Sequence, residues 1–542
     1  MSFIPLFLLL FLFAHPAVAA DGGPEIVAPP AGLSTEEALR LGEAMYRKGM
    51  LPSGEPMTAL VQGDIEVKGD VLTCSNCHMQ SGLGSYEGGV TTLPTNGAKL
   101  YAPLRTGYDL PSTSMGIRPL KAPRPAYTDE SLARALRIGV DAAGRRMSET
   151  MPRYILDDRE MGIMIFYLKN LSSTYSPGAT RDLIKLATVV SEGVKPEDRK
   201  SMLEPMMSFI KMFPWKLSLD VWELKGPQDT WKGQLEKYYQ QKPVFALAGG
   251  MVKGSWLPMH EFCQKNSIPC IFPITDLPVI SENDWYTLYF SKGYYQEGET
   301  AAKYLANVLE LSPEKQPIKQ IIQVFREKDE GKAVSQGFAD SWKKFGSTPL
   351  INKTVSANET TGVDYWKRLS ALHPDAVLLL WLGPEDLAGI ESLGELREKP
   401  FMVFVSSTML GEALTSLPDK IRNFRYITYP YGLPEERAQV RAAVDQFWLS
   451  RNVHPTNKTI SAKVYSLISL LSQDLGGLKN NRYRDYFLDL FDMMEDQTGS
   501  SVMYPRLSFG PGQRYASKGC YIVTLTEGPQ PKIIRKSEWV IY

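Results

Sequence analysis

The chain has 542 residues, enough for more than one compact domain. Hydrophobic residues make up 43% of it and charged residues 22%, which is globular composition and excludes a disordered chain. Its 60 Lys and Arg residues balance 60 Asp and Glu, so no overall electrostatic case exists for a nucleic-acid partner.

The chain opens with MSFIPLFLLLFLFAHPAVAA, an apolar run followed by small residues. It reads as an export signal over residues 1–20, cleaved after Ala19 or Ala20. No Lys or Arg precedes the apolar run, so an uncleaved N-terminal anchor is the competing reading. No later stretch reaches about 18 uncharged apolar residues, so no membrane span is expected in the mature chain. The expected compartment is the periplasm.

STEEALRLGEAMYRKG (34–49) predicts a helix, with Ser34 and Glu37 spaced as a capping box and Gly42 and Tyr46 one turn apart. TCSNCHMQSGLG (73–84) follows, holding Cys74, Cys77 and His78. A C-x-x-C pair alone suits a redox dithiol or half a zinc site. Zinc needs four ligands, and no second pair is near. A dithiol has no use for the histidine. The full C-x-x-C-H pattern predicts covalent attachment of one haem c through Cys74 and Cys77, with His78 as proximal ligand.

LDDREMGIMIFYLKNLS (156–172) predicts a second helix, with Met161, Ile165, Leu168 and Leu171 at helical spacing. Two such helices bracketing C-x-x-C-H resemble class I cytochromes c, an all-α fold whose first and last helices cross near the haem. The second axial ligand must come from elsewhere, and no other histidine lies in this half. Of the methionines after the motif, Met79, Met115, Met147, Met151, Met161 and Met164, Met79 adjoins His78, and Met161 and Met164 lie inside the last helix. Met151, in the loop MSETMPRYILDD before the last helix and stiffened by Pro152, is the expected ligand, with Met147 the alternative. MPRY before YLKNL resembles the methionine loop of small bacterial cytochromes c. His/Met ligation closes the iron's coordination shell and favours electron transfer over catalysis.

Arg118, Lys121, Arg124, Arg134, Arg137, Arg145, Arg146 and Arg153 form a basic run. It reads either as a docking face for an acidic redox partner or as a solvated surface with an arginine or two serving the haem propionates. The domain is placed at 21–173, with TYSPGATRD at its end and a linker at 174–183.

From 184 to 542, apolar strands alternate with amphipathic helices. IKLATVVS precedes PEDRKSMLEPMMSFIKMF, KLSLDVWEL precedes QDTWKGQLEKYYQQ, and PVFALAGG precedes SWLPMHEFCQKN. IPCIFPI, WYTLYFSKG, IKQIIQVF, DAVLLLWLG and PFMVFVSS continue the series. The alternation predicts parallel sheets in doubly wound α/β lobes. The order resembles the type I periplasmic binding proteins, the branched-chain amino acid receptor-like class. PVFALAGGMVKGSWLPMHEFCQKNSIPCIFPITDLPV carries the resemblance most strongly, and YPRLSFGPGQRYASKGCYIVTL looks like that family's late crossover between lobes. Such a tail also resembles binding proteins encoded with quinoprotein alcohol dehydrogenase systems. The whole resembles a fused cytochrome c and ABC-type substrate-binding architecture.

Ligands of open α/β sheets bind beyond the carboxyl ends of the strands. Those turns carry Gly249, Gly250, Met251, Ser255, Thr275 and Asp276 in the first lobe, and Asp329, Glu330, Glu385, Ser406 and Ser407 in the second. Backbone amides at Gly250 and near Ser255 suit a carboxylate-bearing small molecule. REKDEGKA, LGPEDLAG and VSSTMLG stand where the amino acid receptors grip their ligand, so a branched-chain amino acid is not implied. A local disulfide between Cys263 and Cys270 is compatible with their placement on a helix and the next strand; Cys520 is left over. The sequence thus predicts a non-enzymatic, exported electron-transfer cytochrome fused to a solute-binding, sensing module. The alternatives are an ABC-type solute receptor with an accessory haem, or the electron-accepting subunit of a periplasmic dehydrogenase system.

Overall fold

A computed structural model describes residues 28–541, apart from 70, 88–89, 106–122, 214–215, 311–317, 347, 357, 398, 495–500 and 511. The expected export signal, Met115, Arg118 and Lys121 lie outside the described residues.

In the N-terminal domain the helix Thr35–Lys48 starts on Ser34, whose hydroxyl accepts from the Glu37 amide. The reciprocal half of the expected capping box is missing, because the Glu37 carboxylate turns outward to Arg40. This helix crosses the helix Asp158–Asn170 at Gly42, where a Cβ would lie 2.3 Å from the Tyr167 Cβ. Only glycine permits so close a crossing. Asp157 and Glu160 cap the second helix reciprocally.

The domain is not all-α. A three-stranded antiparallel sheet runs in the order Ile65–Lys68, Thr58–Val61, Arg153–Ile155. Its hairpin turns through the three residues Gln62, Gly63 and Asp64, the first two at positive φ (51° and 98°). A two-stranded pair, Tyr86–Glu87 with Val90–Thr91, adds to it.

The expected linker is tied down. Ser176 N–H donates to the Arg482 carbonyl, and Gly178 (φ 84°) passes so close to Val244 and Phe245 that a Cβ would overlap their backbone. Beyond it lie two α/β lobes. The first sheet has five parallel strands in the order Thr287–Leu288, Cys270–Ile271, Ala246–Ala248, Leu183–Ser191, Lys216–Leu224. The second begins Leu350–Val355, Ile321–Arg326, Val377–Trp381, Met402–Ser406, Arg425–Tyr429, all parallel. Tyr521–Leu525 and Ile533–Arg535 extend it antiparallel. Its central strands, such as Val377–Trp381, are buried throughout, as strands covered on both faces are. The chain enters the second lobe, returns to the first through the helix Lys458–Leu478, and comes back through residues 504–520.

Candidate functional site

The C-x-x-C-H motif forms one short helix, Cys74–His78, capped by the Thr73 hydroxyl. Cys74 is buried and Cys77 exposed. The Cys74 Sγ lies 3.7 Å from the Tyr154 hydroxyl, which in turn donates to the Leu72 carbonyl. Burial pushes the Cys74 thiol up to about 11, against the pull of the Tyr154 hydrogen bond. Redox-active dithiols need the opposite shift. His78 is buried, and its Nδ1 is 2.7 Å from the Leu93 carbonyl oxygen. That contact places the proton on Nδ1 and leaves Nε2 as the basic nitrogen. Among the described residues no three His, Cys, Asp or Glu side chains gather as a metal-binding group.

Met151 and Met147 are half-buried and pack on the same core cluster as Cys74. One guanidinium organises their loop: Arg153 donates to the carbonyls of Met151 (2.5 Å), Ser148 (3.0 Å) and Met147 (3.3 Å). Arg153 opens the strand that carries Tyr154, so the methionine loop and the cysteine helix share one support.

The basic run does not form one free face. Arg124 is buried and bonded to the carbonyls of Lys99, Leu100, Ala102 and Pro125. Arg137 pairs with Asp158, Arg145 with Asp141, and Arg134 reaches the Asp141 carbonyl. Arg146 is exposed.

Between the lobes lies a cavity of about 680 Å³, lined by Asp276 from the first lobe and Ser407 from the second. These two were expected from the sequence. Tyr429, Tyr431 and Arg441 were not. Asp276 receives Lys463 Nζ at 3.0 Å, and both groups border Tyr431 and Tyr504. Burial disfavours the Lys463 charge, but Asp276 and the two phenols hold its pKa well above the ordinary range.

The other candidates scatter. Gly249 and Gly250 have positive φ (60° and 105°) and are packed against: a Cβ on Gly250 would lie 2.7 Å from the Trp256 ring. Their glycines serve the turn and the packing, not the approach of a ligand. Met251 is buried core, the Ser255 hydroxyl accepts from the Leu257 amide, and that of Thr275 from the Leu277 amide. Ser406 is buried and caps the short helix Ser407–Leu410 by accepting from the Met409 amide. Glu330 and Glu385 line a smaller pocket of 210 Å³ beside the Arg326–Asp386 ion pair. Asp329 lines a third, of 750 Å³, with Leu277 and Tyr295.

Cys263 and Cys270 are both thiols, buried and within hydrogen-bonding contact, so the expected disulfide is absent from the structure. Burial, then the neighbouring Cys270, raise the Cys263 thiol.

Tyr429 follows the strand-end rule and ends the strand Arg425–Tyr429, so RYITYPYG carried a signal that the reading of the sequence passed over. Lys463 is a lone charge in the apolar stretch TISAKVYSLISLL, which marks a buried, paired group.

A family model described as periplasmic binding protein matches residues 216–489. Solved structures resemble the chain at low identity. The ABC transporter substrate-binding protein from Sphaerobacter thermophilus has 11% identity over 66% of this chain and 98% of its own, with a TM-score of 0.48. A putative branched-chain amino acid ABC transporter from Rhodospirillum rubrum has 14% identity over 65% and 100%, with a TM-score of 0.47. A branched chain amino acid ABC transporter from Thermus thermophilus, with bound valine, has 10% identity over 67% and 98%, with a TM-score of 0.47. No curated protein matches the chain.

Proposed function

The chain belongs to the periplasmic binding protein family, and on that premise we propose that it is a solute receptor of the ABC-transport type whose N-terminal domain carries a covalent haem c. The observation that carries the receptor reading is the cavity of about 680 Å³ walled by both lobes. Its volume suits a small molecule, and a solute held there touches both lobes at once, which lets binding favour the closed arrangement. The family is one of binding proteins rather than enzymes. This reverses the order expected from the sequence, which put electron transfer first and solute reception second. The test is a thermal-shift panel of amino acids, carboxylates, alcohols and aldehydes on the full chain. Stabilisation by a member of the panel supports the reading, and a flat response across all four classes overturns it.

The haem reading is favoured by the His78–Leu93 contact at 2.7 Å. A histidine that binds iron through Nε2 commonly donates from Nδ1 to a backbone carbonyl, which fixes the ring. Cys74 and Cys77 would hold the haem through thioethers, and His78 and Met151 would be the nitrogen and sulfur donors to its iron. Bound there, a haem would supply one-electron transfer. The chain's own residues do the rest. Leu93 sets the tautomer of His78, Tyr154 orients the Cys74 sulfur, and Arg153 holds the methionine loop. Met151→Ala should remove the near-infrared charge-transfer band of methionine-ligated ferric haem and lower the potential, whereas Met147→Ala should keep both. The reverse pattern would assign the ligand to Met147.

A further inference from the structure

Among the described residues, one cation that lines the interlobe cavity has no carboxylate partner. Asp276 is held by Lys463 at 3.0 Å and Asp445 by Lys458 at 2.9 Å, so both of these acids in the lining are already neutralised. The third, Glu412, is exposed. Arg441, on the helix Pro434–Leu449, lines the same cavity, and no carboxylate pairs with it among the described residues. Its guanidinium lies against the Tyr429 hydroxyl, where burial raises the phenol and the neighbouring charge lowers it. Ser407 presents a hydroxyl that is buried and has no hydrogen-bond partner. The rest of the wall joins an aliphatic side, Leu414, Val444, Ala462, Val502 and Ile533, to the hydroxyl residues Thr408, Thr415, Thr459 and Ser461.

We propose that this cavity selects a small monocarboxylate with an apolar body. Arg441 takes the carboxylate, Ser407 donates a hydrogen bond to the same ligand, and the body lies against Tyr431 and the aliphatic wall. A guanidinium grips a carboxylate through two parallel N–H donors, and a half-buried setting strengthens that grip. Among the described residues the one lining acid that no lysine holds is Glu412, which is exposed, so an ammonium ligand would meet only a solvated partner there. The assignment moves the anion site away from the Gly249–Gly250 turn, which packing fills. It rests on the receptor reading, and its test separates the two.

The experiment is calorimetry on the full chain with phenylacetate, phenylethanol and phenethylamine, which share a ring and differ in head group. Phenylacetate should bind at least about tenfold tighter than phenylethanol. Arg441→Gln should weaken phenylacetate about tenfold or more and leave phenylethanol unchanged, and Arg441→Lys should recover part of the loss. Melting temperatures of the variants control for folding. Equal phenylacetate affinity in wild type and Arg441→Gln, or a preference for phenethylamine, would overturn the carboxylate assignment while the receptor reading stands, because a solute still binds. Failure of all three probes would overturn the assignment, and the wider solute panel then decides the receptor reading separately.

Discussion

Glu297 lies behind the wall of the cavity and is fully buried. Burial pushes its pKa up to about 7, against hydrogen bonds from Thr408, Thr428 and Ser406; Thr428 donates at 2.5 Å. The folded state therefore holds a proton that the unfolded chain releases at its ordinary 4.5. Stability from this group is full below about pH 4.5 and falls as pH rises towards about 7, because the native state binds more protons across that window. Glu297→Gln imitates the neutral form and keeps an acceptor for Thr428. The variant should match wild type near pH 4.5 and exceed it at about pH 8, by an amount on the order of 3 kcal/mol. Thermal melts across that range check it; parallel curves for the two proteins would show that Glu297 does not titrate in this window. Nothing in YYQEGETAAKYL marks Glu297 as buried, because its helical face is settled only when the second sheet packs on it.

The helix Arg484–Asp492 joins the two halves of the molecule. Phe487 and Phe491 lie in the first lobe's core, against Phe245 and Phe272 from its strands. The acids on its other side face the N-terminal domain. Asp485 receives Arg47 at 2.6 Å, and Asp489 accepts from the amides of Gln80 (3.2 Å) and Ser81 (2.9 Å), just past the C-x-x-C-H helix. Asp489→Ala leaves the buried Ser81 amide and the part-buried Gln80 amide without an acceptor, a cost of about 2–4 kcal/mol. Asp489→Asn keeps one acceptor and should lose about half as much. Thermal unfolding should show the order wild type, Asn, Ala; an Ala variant as stable as wild type would mean that water replaces the carboxylate. The alternating strands and helices of the lobes were legible because each repeats a local pattern, from LIKLATVVS onward. The β-hairpin at Thr58–Lys68 was not, since four-residue strands carry little periodicity and depend on pairing with Arg153–Ile155. Nothing local in RDYFLDLFD marks its acids, which acquire meaning only from a partner about 400 residues earlier, such as Ser81 with Asp489.

At the scale of the whole molecule, the haem-motif domain and the first lobe form one packed unit. Leu83 belongs to the first lobe's core cluster, Tyr286 donates to the same Asp485 that Arg47 holds, and the connecting segment is bonded to Arg482. A solute that draws the lobes together would therefore move the second lobe against a body that already includes the N-terminal domain. The candidate residues divide along the same lines. Asp276 and Ser407 lie beyond strand ends and reach the cavity, while Gly249 and Gly250 lie beyond a strand end and are covered by Trp256, Leu467 and Met206. Strand-end position was readable, but the packing that covers or opens each turn was not. The protein we propose is a receptor that bears a covalent haem on the domain docked to its first lobe. Intact mass under denaturing conditions, on protein exported by a host that attaches haem c to a control cytochrome, tests it most directly. The expected result is a polypeptide heavier by one haem, and a Cys74→Ala, Cys77→Ala variant at the bare polypeptide mass. A wild-type chain at the bare mass, beside a loaded control, would contradict it.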